Sequence, residues 1–182
     1  MIKQKNLQLT IGAMLVALIG AMLISDQYVG HIFADITPIV IATMIIYYSV
    51  KTSLKKSLIL SVCILIIGVI TGNTTTYIYV PVGILVGMLT SLVYVRSEPS
   101  KSMLVMFISY CLSEIMVCVV AMPLMGVSLN QQVTGSYQIL MSLGIPFALE
   151  LSIISLVLTA LLIGLIESFA TLALTSTLLR RF

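Results

Sequence analysis

Apolar residues in this chain come in long runs rather than in alternation: 7–24, 36–50, 57–71, 78–95, 103–125 and 145–179 each hold few or no charges. Crossing a hydrocarbon core of about 30 Å takes roughly 20 apolar residues as helix. The pattern therefore predicts an all-α integral membrane protein with six transmembrane helices forming one domain, residues 1–182. Two runs, 36–50 and 57–71, are short and need polar ends or neighbouring protein to complete a crossing. The last run would be about 50 Å long as one straight helix, so it must tilt, project, or end along a membrane surface. A short helix just before Gly144 and Pro146 is also expected, since Pro suits a first helical turn and Gly144 punctuates the chain.

The polar connections orient these spans. All nine basic residues fall at the N-terminus (Lys3, Lys5), in the second connection (Lys51, Lys55, Lys56), in the fourth (Arg96, Lys101), or at the C-terminus (Arg180, Arg181). The first, third and fifth connections hold none. Under the positive-inside rule this partition places both termini in the cytoplasm. Splitting the sixth run into two spans would put Arg180 and Arg181 outside, so six is retained. The first run is long for a signal-peptide core and others follow it, which makes it a span.

Composition agrees: of 182 residues, 60% are hydrophobic and 8% charged, with a mean hydropathy of +1.20, far from soluble domains. Cys63, Cys111 and Cys118 lie inside apolar runs without metal-ligand spacing and are read as reduced packing residues. One histidine, His31, and the absence of HExxH, GxSxG and Walker A motifs argue against a membrane hydrolase or an ATPase.

Six acidic residues remain as candidate chemistry. Glu98 sits in a basic connection; Asp26 and Asp35 flank the first connection, where Asp35 could cap the second helix. Glu114 falls about 16 Å along the fifth span, near mid-membrane, where a carboxylate is costly unless paired, protonated or facing a polar cavity. Glu150 lies one turn past Pro146, near the outer mouth of the sixth span. Either residue could hydrogen-bond a neighbouring helix or line a pocket that opens outward. Glu167 joins Gly164, Ser168, Thr171 and Thr175 in a polar stripe that could pack on another helix or on a partner.

The third connection, GNTTTYIYVP, offers Asn73, three threonines, Tyr77 and Tyr79, either as a polar turn with an interfacial aromatic belt or as groups that stack on and hydrogen-bond a flat heterocycle. The fifth connection adds Tyr137 among amides, enough for a lid. With no Lys or Arg on that side, a neutral or cationic ligand suits these groups better than a carboxylate such as biotin or folate.

In the first span, GAMLVALIGAMLI places Ala13, Ala17 and Ala21 four apart, one above another on a helix, with Gly12 and Gly20 beside them. Such a groove lets two helices approach closely, either inside the bundle or against another subunit. With this AxxxA pattern, about 180 residues, six spans and both ends inside, the whole chain resembles the substrate-binding S-components of energy-coupling factor transporters.

The resemblance implies a bacterial cell-membrane subunit that captures a vitamin in its outer half and needs no cofactor. It implies that Ala13, Ala17 and Ala21 dock on a transmembrane coupling subunit joined to two cytoplasmic ATPases. The polar groups read above, Glu150, Glu114, Asn73, Tyr77, Tyr79 and Tyr137, are then the expected ligand contacts. Hydroxymethylpyrimidine or pyridoxine is favoured. Thiamine-binding members stack ligand on tryptophan, and this chain has none. A self-sufficient channel or secondary carrier is the competing reading, though the two halves carry no convincing repeat.

Overall fold

The computed structural model describes residues 2–29, 33–71, 74–94, 99–124, 126–144 and 152–181. Among these there is no strand. The helices are α1 (Ile2–Val29), α2 (Thr37–Lys51), α3 (Leu54–Thr71), α4 (Thr74–Tyr94), α5 (Pro99–Met116), a π-helical turn (Val117–Ala121), α6 (Met122–Leu124), α7 (Leu129–Ser142) and α8 (Ser152–Arg181). Five stretches are long and apolar enough to cross a membrane: Asn6–Val29, Leu54–Thr71, Thr76–Tyr94, Lys101–Leu124 and Ile154–Arg181. Thr37–Lys51 is apolar but shorter. The chain is an all-α membrane protein.

Most helices outrun their apolar stretches. α1 begins within the Lys and Gln residues ahead of position 7 because those side chains are good helix formers. α3 likewise takes in Lys55 and Lys56. α2 starts where Pro38 suits a first turn, and its N-cap is Ile36 with no side-chain cap, so Asp35 does not take the capping role expected of it. The helix expected before Gly144 is α7, and Gly144 follows it with φ +74°. α7 opens with a reciprocal capping box: the Ser128 hydroxyl accepts from the Gln131 N–H at 3.3 Å, and the Gln131 side chain accepts from the Ser128 N–H at 2.9 Å.

The described residues pack as two compact units, one of residues 1–106 and 168–182, the other of residues 107–167. The first is organised around α2, whose residues are almost all buried. Its core joins Ile19 and Leu23 of α1, Ile41, Ile45 and Tyr48 of α2, Leu60 and Ile64 of α3, and Val80 of α4.

Glycines set the close approaches. A Cβ at Gly83 of α4 would lie 2.8 Å from the Ile41 Cβ and 3.0 Å from the Pro38 backbone; one at Gly87 would lie 3.0 Å from the Ala42 Cα and the Ile45 Cβ. This GxxxG pair lets α4 rest directly on the α2 backbone. On α1, Gly12 faces the Tyr48 hydroxyl, which a Cβ would meet at 2.9 Å, and Gly20 faces Ile67 of α3.

These pairings also give direction. The start of α1 meets the end of α2 through Tyr48 Oη–H donating to the Gln8 carbonyl at 3.1 Å. It meets the start of α3 through Lys56 Nζ–H donating to Gln8 Oε1. Hence α1 and α3 run parallel and α2 runs against them. The α1 N-terminus, Lys51, Lys55 and Lys56 share one end of this unit, called here the basic end.

In the second unit, α5 crosses α8 where Gly164 admits Cys111: a Cβ at Gly164 would lie 2.8 Å from its Sγ. The Cys111 thiol donates weakly to the Ala160 carbonyl at 3.8 Å. The π turn follows from Pro123. A proline ring clashes with the carbonyl four residues back, here Val119, and widening the turn moves that carbonyl aside. The Met122 N–H accordingly bonds the Val117 carbonyl, five residues back.

Candidate functional site

At the end of the first unit opposite the lysines, polar groups gather in a way that follows from α1's buried face. Gly12, Ile19, Leu23 and Asp26 recur at helical spacing and are all buried. Asp26, 3% exposed, accepts a 2.7 Å hydrogen bond from the Phe33 N–H through Oδ1. The Phe33 carbonyl accepts in turn from the Thr37 hydroxyl at 2.8 Å. Both backbone polar groups of Phe33, in the turn before α2, are thus held by side chains. Asp26, Thr37, Thr76 and Tyr79, with Leu23 and Ala34, line a narrow gap not wide enough for a water molecule. The Gln27 side chain donates to the Thr71 carbonyl and ties this end of α1 to the end of α3. The cluster is tightly packed and fastened.

Of the residues expected from sequence to contact ligand, Tyr79 belongs to this cluster. Tyr77, two positions earlier on α4, faces away: it is exposed and its hydroxyl donates to the Val69 carbonyl at 3.4 Å. Pro81 removes the N–H that the Tyr77 carbonyl would otherwise use in the helix ladder. Asn73, Glu150 and His31 lie outside the described residues. Sequence reasoning passed over Asp26 and Thr37 as site residues, while Thr76 was among the hydroxyls of the third connection. The available signal was Asp26 recurring seven positions after Ile19, which puts a carboxylate on an otherwise apolar buried face.

In the second unit, Glu114 is half-buried on α5 and Tyr137 half-buried on α7. Glu167 of α8 is buried. The carboxylates of Glu114 and Glu167 both lie within electrostatic reach of the Cys111 thiol, and Glu114 also of Cys118. Two carboxylates therefore flank the close crossing of α5 and α8, one turn from the π segment. Among the described residues no three His, Cys, Asp or Glu are grouped to hold a metal. The rest of the α8 stripe, Ser168, Thr171 and Thr175, is fully buried in the protein.

The alanine stripe behaves differently from the glycines beside it. Ala13, Ala17 and Ala21 are all exposed, whereas Gly12 and Gly20 are buried. Towards α3 the stripe borders a half-open groove of about 620 Å³. Gln8, Tyr48 and Lys56 stand at its basic end; Ala13, Val16 and Ala17 form one wall, and Ile59, Cys63 and Ile67 the other.

Comparison with protein-family models, curated proteins and solved structures returned no match to this chain.

Proposed function

We propose that this protein is the substrate-binding subunit of an energy-coupling factor importer in a bacterial cell membrane, with six spans, both termini cytoplasmic, and a small neutral or cationic vitamin as its ligand. Hydroxymethylpyrimidine and pyridoxine fit the amides, tyrosines and carboxylates of the side opposite the lysines. The observation that carries the reading is the alanine stripe. Ala13, Ala17 and Ala21 present a flat, exposed ridge on a membrane-length helix whose glycines already satisfy packing inside the bundle. A ridge of small residues left open in lipid is a surface on which another helix can lie closely.

On this reading the coupling subunit docks on α1 and two cytoplasmic ATPases drive it, the chain itself being no enzyme. Candidate ligand contacts are Asn73 and Tyr77 in the first unit and Glu114, Tyr137 and Glu150 in the second, Tyr79 being taken up by the cluster around Asp26. The tightly packed cluster around Asp26 then serves to hold the loop side of α1, α2 and α4 in place while the ligand site works beside it.

The test is a pair of measurements on Ala17→Leu. Ligand binding by the isolated subunit should survive, while co-purification with the coupling module and uptake in its presence should be lost. Normal uptake by the variant would overturn docking through α1. Mass spectrometry of small molecules released from the purified protein identifies the ligand, and a pyrimidine or pyridine vitamin is the expected result.

A further inference from the structure

The groove between α1 and α3 has a chemistry that the transport reading does not use. Its polar groups lie only at the basic end. There the Lys56 ammonium spends one donor on Gln8 Oε1, which leaves two of its three N–H bonds to offer. Below that point the walls are alkyl groups and a thiol.

The dimensions are those of one leaflet. From Gln8 to Ala17 α1 advances about 14 Å, and from Lys56 to Ile67 α3 advances about 16 Å. Half of a bilayer's hydrocarbon thickness is about 15 Å.

The charge at the mouth is unbalanced. Lys55 and Lys56 occupy the first turn of α3, where the helix dipole is positive and cations are disfavoured, and no acidic residue shares that turn. Lys51 is exposed at the adjoining end of α2. The described carboxylates of the first unit, Asp26 and Asp35, are at its opposite end. An anion at the mouth would relieve both the dipole and the mutual repulsion of the lysines.

The geometry points to a binding site for an anionic phospholipid of the leaflet at the basic end, with its phosphate at Lys56 and one acyl chain lying along Ala13, Ala17, Ile59 and Cys63. Basic mouths between membrane helices take acidic headgroups in this manner. An acyl chain fills a shallow apolar channel without presenting backbone polar groups that would need partners. The site does not rest on the transport reading. The groove shares its Ala13 and Ala17 wall with the docking ridge, but Lys56, Ile59 and Cys63 on α3 lie outside that ridge, so substitutions there test the lipid site without altering the α1 docking residues.

Native mass spectrometry of the full chain, purified in detergent and given equimolar phosphatidylglycerol and phosphatidylcholine with identical chains, should show the anionic phosphatidylglycerol retained in preference. Lys56→Gln should reduce that preference about fivefold. Cys63→Phe, which fills the channel from the α3 side, should lower retention of both lipids. Equal retention of the two by the parent protein, or an unchanged preference in Lys56→Gln, would overturn the site. Should those variants not fold, a photo-crosslinking residue in place of exposed Ile59 decides the occupant in intact membranes. An adduct of phospholipid mass supports the proposal, and an adduct with a partner protein or a second copy of the chain refutes it.

Discussion

Replacing Gly83 with Ala adds one methyl group where α4 lies on α2. The new Cβ would stand 2.8 Å from the Ile41 Cβ and 3.0 Å from both the Pro38 Cα and its carbonyl oxygen. Carbon atoms prefer separations of roughly 3.5–4.0 Å. The obstacles are backbone and Cβ atoms that cannot rotate away, so α4 itself must move by about 1 Å. A gap of that size forfeits a quarter to a half of each dispersion contact along the interface. Overpacking of this kind costs about 1–3 kcal/mol. Ala also favours helix over Gly by up to about 1 kcal/mol. The net expectation is a loss of roughly 1–2 kcal/mol, read as a lower midpoint in unfolding by sodium dodecyl sulfate, followed by circular dichroism. Gly87→Ala should behave alike, and the double variant should cost less than the two losses added, because one displacement of α4 serves both methyl groups. A parent-like midpoint for Gly83→Ala, or strict additivity in the pair, would mean that α4 does not rest on the α2 backbone as described.

Asp26→Ala removes a buried acceptor from the part-buried Phe33 N–H and should destabilise the protein by about 1–3 kcal/mol in the same assay, with Asp26→Asn milder because an oxygen remains; equal midpoints for Ala and parent would refute the role of Asp26 in the turn. Ser128→Ala should cost α7 about 1 kcal/mol, read as faster amide exchange in its first turn. Gly135→Ala should slow that exchange, since nothing lies within 4 Å of the added Cβ; no change in either variant would speak against the cap and the helix. Cysteines replacing Lys55 and Asn130 should label from opposite sides of the membrane with an impermeant reagent, and labelling of both from one side would overturn the six-span topology.

Length and apolarity alone announced the helices, because in lipid a backbone must satisfy its own hydrogen bonds and a helix does so within one segment. The faces were harder to read. α1 is apolar around its whole circumference, so no amphipathic pattern tells inside from outside. What distinguishes its sides is size: Gly12 and Gly20 face inward to Tyr48 and Ile67, while Ala13 and Ala21, one position on, and Ala17 between them stay exposed. Those five small residues look like one feature in the sequence and are two in the structure. The Gly83/Gly87 pair was not singled out from the sequence, and its partner α2 emerges only in the fold. The π turn depends on Pro123, whose effect in an apolar run could equally have been a kink or a helix end. Asp26 looked like a loop residue because it sits beside polar neighbours, and only the heptad relation to Ile19 carries it into the core.

The burial of α2 bears on how the protein is made. Fifteen residues of helix span about 22 Å, well short of the hydrocarbon core. Its surroundings are other helices rather than lipid. The backbone platform it offers at Pro38, Ala42 and Ile45 is covered by α4, which leaves the ribosome some forty residues later. At synthesis rates of about 5–20 residues per second, α2 passes seconds in the membrane with that face open. During this interval it has only α1, and then α3, to lean on. The step most exposed to error in the biogenesis of this protein is therefore the wait for α4, and substitutions at Gly83 or Gly87 would lower the yield of inserted chain as well as the stability of what has folded.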